Sequence, residues 1–261
     1  MSALLASVSD LSLAILLPAF CAGLLVIATH VPLGMQVLQR GIIFIDLAIA
    51  QVAGLGAYLV TRVLGEDVSV VWVQVGAVVL ALVASWLLVA TERLTTRYQE
   101  PVIGIVFVLA ATAVVLLLSN DPHGGQHLSD LLAGQILWIG RAQIFYSAIA
   151  TGILLYVMFL FQGKRVWFYS LFALAITVSV QLVGVYLVFA TLIIPALATN
   201  KILAKRTRLW VTYLVAVIGY ILGLLGSALF DLPTGPLIVW TLALTGIVAL
   251  IVLNRKHRSR F

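Results

Sequence analysis

Long apolar stretches, almost free of charge, alternate along this chain with short polar clusters. They cover residues 11–29, 41–61 (interrupted only by Asp46), 68–91, 101–120, 142–163, 166–200, 209–230 and 232–254. At about 1.5 Å per residue, some twenty residues of helix cross a hydrocarbon core of about 30 Å. Most stretches therefore fit one helix each. Barrel strands would instead alternate over roughly ten residues. The 35 residues of 166–200 would make a helix of about 52 Å, too long for one crossing. Gln181 and Gly184 lie near the middle, which predicts two short spans meeting there; one span followed by a re-entrant piece ending near Pro195 is the competing arrangement. Residues 128–140 are too short to span and are expected to lie at the surface or dip in. The pattern predicts an all-α, polytopic helical membrane protein of about 8–10 transmembrane helices, with 1–261 forming one integral-membrane domain.

Composition supports this reading. Apolar residues make up 63% of the 261, and only 15 Lys+Arg and 9 Asp+Glu carry charge. Mean hydropathy is +1.20. So few charges cannot cover a soluble globule, and a disordered chain is excluded as well. The net charge of +6 does not indicate nucleic acid, because the basic residues sit in short clusters between apolar stretches, as in cytoplasmic loops. With the carboxyl end cytoplasmic and nine spans, 13 basic residues fall inside and only Arg62 and Arg141 outside. If 128–140 also spans, the ratio drops to 11 against 4. Both arrangements place 201–208 and 255–260 in the cytoplasm. Cys21 is the only cysteine, so an intrachain disulfide is impossible. The first 30 residues lack a basic start and a small-residue cleavage site, so 11–29 is expected to stay as a span.

Few side chains invite chemistry. No G-x-x-x-x-G-K-[S/T] phosphate loop occurs, so ATP hydrolysis is not expected on this chain, and no catalytic constellation is present. Asp46 is the most informative residue. A carboxylate at the membrane centre costs about 2.5–3.5 kcal/mol, and chains that keep one use it on an ion path or pair it internally. The alternatives are hydration near a membrane face or pairing with Arg40. Gln51, five positions on, shares roughly the same face. His123 and His127 stand with Asp121 and Asp130 in one segment and form a weaker metal-binding candidate, since Gly124-Gly125 argues against the helix that H-x-x-x-H chelation needs. His30 reads as a span-end histidine, and His257 belongs to the basic tail.

Several segments together resemble the membrane permease subunits of ABC importers for zinc, manganese and iron. Pro32-Leu33-Gly34 with Val37-Leu38-Gln39-Arg40 is similar to the family's first loop, and Asp46 falls where its intramembrane aspartate stands. Ile103-Gly104-Ile105-Val106-Phe107, Asp130-Leu-Leu-Ala-Gly134-Gln135, Val183-Gly184-Val185 with Leu192-Ile-Ile-Pro195-Ala196, and Leu232-Pro233-Thr234-Gly235-Pro236 follow in family order. The resemblance implies an ABC-importer permease fold in a bacterial plasma (inner) membrane. It also implies a homodimer within membrane lipid, cytoplasmic ABC ATPase subunits, and a periplasmic or surface metal-binding protein. Two departures stand out. Ala50 occupies the position of the family's usual histidine, leaving Asp46 and Gln51 as oxygen donors, which suit manganese or iron(II) better than zinc. The family's longer cytoplasmic loop shrinks here to 162–165, so residues 91–100 and 199–208 become candidate ATPase contacts. A permease for a metal chelate of siderophore or cobalamin type, an ATP-independent transporter and a membrane scaffold subunit are the alternative functions.

Overall fold

The structure is a computed structural model and describes residues 2–65, 67–94, 98–119, 121, 124–161 and 165–258. Ten α-helices follow one another among them: α1 (Ser2–Arg40), α2 (Ile45–Leu64), α3 (Val70–Leu94), α4 (Gln99–Leu118), α5 (Gly124–Ala133), α6 (Arg141–Leu160), α7 (Arg165–Val183), α8 (Val185–Ala198), α9 (Lys205–Phe230) and α10 (Thr234–Arg258). A single 3-10 turn, Ile136–Trp138, lies between α5 and α6. In lipid every backbone N–H and C=O needs a partner within its own segment, and a continuous apolar helix supplies one. Among the described residues seven helices are long and apolar enough to cross a membrane, on α1 (Ile15–Arg40), α2, α3, α4, α6, α9 and α10, whereas Trp167–Val183 and Val185–Ala198 are apolar but shorter. Their outer faces stay apolar, with Trp72, Leu116, Phe159, Leu229 and Trp240 exposed, as lipid contact requires.

The stretch 166–200 is two helices, broken at Gly184 as the sequence predicts, while Pro195 lies inside α8. Residues 128–140 form no helix of spanning length. They supply most of α5 and the 3-10 turn, and Leu131 packs over Gly54 of α2. One expectation fails. Pro32-Leu33-Gly34, expected in a loop, lies inside α1, which runs on unbroken to Arg40. The reason is tertiary: a Cβ on Gly34 would stand 1.9 Å from the Leu192 carbonyl oxygen, so α1 and α8 cross backbone to backbone there. Pro32 has no N–H to give the Ala28 carbonyl, and Tyr213 Oη of α9 donates to that carbonyl at 3.0 Å instead.

Helix ends gather on two faces. The basic face holds the end of α1 and the starts of α2, α4, α7 and α9. Arg40 stacks 4.1 Å over the Phe168 ring, Gln99 Nε2 donates to Tyr169 Oη at 2.8 Å, and Arg40 and Lys205 border one groove. At the opposite face Tyr58 reaches the Leu117 carbonyl, and Gly134 meets Gly184. Hydrogen bonds also cross the bundle interior, from Tyr220 to Thr191 at 2.8 Å, Thr199 to Thr212 at 2.6 Å, and Tyr213 to the Ala28 carbonyl at 3.0 Å. In apolar surroundings each such bond contributes about 0.6–2 kcal/mol.

Candidate functional site

Asp46 is the second residue of α2 and only 1% exposed. The chain reaches it through a tight turn in which Gly41 takes a φ of +69°. Neither hydration nor Arg40 explains the carboxylate. Its burial excludes the first, and the Arg40 guanidinium is committed to the Phe168 ring. Both carboxylate oxygens are buried without a hydrogen-bond partner. The partial positive charge at the start of α2 favours an anion there.

Gln51 follows on the same helix, about 7.5 Å further along the axis. It is 2% exposed, and its Oε1 likewise lacks a partner. Ala50 between them is 1% exposed, so the position where resemblance places an imidazole is enclosed. Around these residues α2 buries Ile45, Ala48, Ile49 and Ala53, a face of small and branched side chains packed toward α3, α4, α7 and α8. Phe44, just before the helix, stacks on Phe189 of α8, with centroids 6.4 Å apart and planes 3° from parallel.

Two further groups were not expected at the site: half-buried Glu100 and fully buried His30. Glu100, the second residue of α4, accepts a hydrogen bond at Oε1 from the Ile43 N–H, while its Oε2 is buried without a partner. A carboxylate at a stretch boundary reads as solvated loop, and only the fold brings it to the α1–α2 turn. His30, expected at a span end, lies fully buried inside α1. Its Nδ1 is 3.0 Å from the Val26 carbonyl and 3.0 Å from Thr29 Oγ1, and its Nε2 lacks a partner.

His127 belongs elsewhere. It follows α4, some 30 Å along that helix from Glu100, and its Nδ1 lies 3.8 Å from Asp121 Oδ2. It stands on α5, so Gly124-Gly125 open a helix after all. Its expected partner His123 lies outside the described residues. No group of three or more His, Cys, Asp or Glu that could hold a metal occurs among the described residues. Asp46 and Gln51 thus offer isolated oxygen donors rather than a closed cage. A groove of about 630 Å³ opens at the basic face between α1, α6, α7 and α9, but neither Asp46 nor Gln51 borders it.

A multi-pass apolar bundle carrying buried, partnerless oxygen donors has the build of a membrane transport subunit. The chain belongs to the ABC 3 transport family, whose model matches residues 12–167 and 162–253. It is 32% identical to the chelated iron transport system membrane protein YfeD of Yersinia pestis, covering 84% of this chain and 86% of that protein. It is 28% identical to the manganese transport system membrane protein MntB of Synechocystis sp., over 64% of this chain and 63% of that one. The fold matches PsaBC from Streptococcus pneumoniae, solved in complex with Fab, with a TM-score of 0.75 at 20% identity over 94% of this chain and 95% of that one.

Proposed function

We propose that the chain is the membrane permease of a divalent-metal ABC importer and that the ion passes Asp46. The carrying observation is the Asp46 carboxylate itself, enclosed at 1% exposure with both oxygens unpartnered, in a member of a transport family. A permanently buried, unpaired carboxylate is expensive, and a cation in transit offsets that cost. Weak, incomplete coordination suits a path that must release its ion, and the isolated donors fit this. Oxygen ligands favour manganese or iron(II) over zinc, in keeping with the iron and manganese named for the relatives.

In this reading two copies form one importer in a bacterial inner membrane, with basic face and carboxyl terminus cytoplasmic, as the placement of lysine and arginine supports. ATP is hydrolysed on separate ATPase subunits, and a metal-binding protein delivers the ion from outside. Residues 199–208 present Lys201, Leu203, Lys205 and Arg206 to solvent, Leu203 at 95% exposure, and are the ATPase contact in this reading. In cells lacking other manganese uptake, Asp46→Asn should insert normally and abolish accumulation. Normal accumulation at equal membrane abundance would remove the reading.

A further inference from the structure

We propose that Glu100 is a second oxygen ligand on this path: the Ile43 N–H holds its Oε1, leaving Oε2 to share a divalent cation with Asp46. The inference rests on the path reading above but adds a group that lies on a different helix.

Three observations carry it. Among the described residues, eight buried side-chain N or O atoms lack a hydrogen-bond partner, and four of these are the two Asp46 oxygens, Gln51 Oε1 and Glu100 Oε2. All four belong to α2 and α4, which pack against each other. Second, the Ile43 bond fixes where Glu100 sits. Ile43 is three residues before Asp46, less than one helical turn, so the anchored carboxylate is brought to the start of α2. Third, among the described residues no basic side chain forms an ion pair with either: the Arg40 guanidinium lies on Phe168, and His127 pairs with Asp121. Two neighbouring carboxylates, one of them almost wholly buried, are unfavourable unless positive charge lies between them. A divalent cation supplies it, and its departure restores the repulsion that favours binding of the next ion.

The alternative is purely mechanical: Glu100 would only pin the α1–α2 turn. Glu100→Gln separates the two, because an amide oxygen still accepts the Ile43 N–H but carries no charge. We would measure radioactive Mn²⁺ uptake by the assembled transporter in cells, normalised to permease in the membrane, beside Asp46→Asn. A ligand role raises the apparent KM of Glu100→Gln for Mn²⁺ about tenfold or more, in line with the metal-affinity losses typical at supporting positions. Unchanged KM and maximal rate in Glu100→Gln, with Asp46→Asn inactive, would overturn the ligand role of Glu100 and leave the path reading standing. Normal uptake in Asp46→Asn would instead overturn the path reading. Should Glu100→Gln fail to accumulate, the size-matched pair Glu100→Asp and Glu100→Asn decides. Better uptake by the charged variant supports the inference, and equal uptake overturns it.

Discussion

Gly184 and Gly134 meet backbone to backbone: a Cβ on Gly184 would lie 2.4 Å from the Gly134 nitrogen, and one on Gly134 would lie 2.3 Å from the Val183 carbonyl. Both residues have positive φ, +80° and +69°. Here the segment after α5 wedges against the break that turns α7 into α8. Gly184→Ala combines a backbone conformation that only glycine adopts readily, costing about 1–3 kcal/mol, with a clash that has no flexible side chain to yield. We expect a large loss of folded protein, read as lower yield of monodisperse protein in detergent and a lower melting temperature. A wild-type melting curve would show that the crossing is looser than described.

Tyr220 Oη and Thr191 Oγ1 are 2.8 Å apart, and Thr191 donates its own proton to the Leu187 carbonyl at 2.6 Å. The tyrosine is therefore the donor between them. Tyr220→Phe removes one interhelical bond while Thr191 keeps its backbone partner, so the loss should be about 1 kcal/mol. Thermal unfolding in detergent should register a fall of a few degrees with metal uptake retained.

Leu203 is almost wholly solvent-exposed between Lys201 and Lys205, while Arg208, one turn into α9, donates to the Ala196 carbonyl at 3.3 Å and ties the segment to α8. Leu203→Asp should leave folding unchanged, since little packing is lost. If this segment is the ATPase contact, the variant should co-purify with much less ATPase and lose uptake. Full co-purification would move the contact elsewhere.

Ala50→His places an imidazole four residues after Asp46. The position is enclosed, so the larger side chain should cost about 1–3 kcal/mol of packing. Where the protein accumulates, adding a nitrogen donor should raise the zinc-to-manganese uptake ratio. An unchanged ratio would show that this face of α2 does not meet the ion.

Much of the fold was legible because lipid imposes one rule, a run of about twenty apolar residues per crossing. The break at Gly184 was legible for the same reason, since the stretch around it is too long for one helix. What escaped the sequence was tertiary. Pro32 and Gly34 carry the signature of a loop, yet they sit inside α1 because Gly34 is where α8 crosses. Asp46 stands out as a charge in an oily run, whereas Glu100 sits beside polar neighbours and reveals itself only through the Ile43 bond. His30 looked interfacial because Pro32 suggested that its helix had ended. For His127, exposed on α5, we expect His127→Ala to leave uptake unchanged.

The central claim is that a metal ion passes the Asp46 carboxylate, and the most direct measurement is ATP-driven Mn²⁺ entry into liposomes containing the purified permease with its ATPase and binding protein. The account requires wild-type vesicles to accumulate Mn²⁺ and Asp46→Asn vesicles, still hydrolysing ATP, to accumulate none above the ATP-free background. Equal accumulation by the two would contradict it.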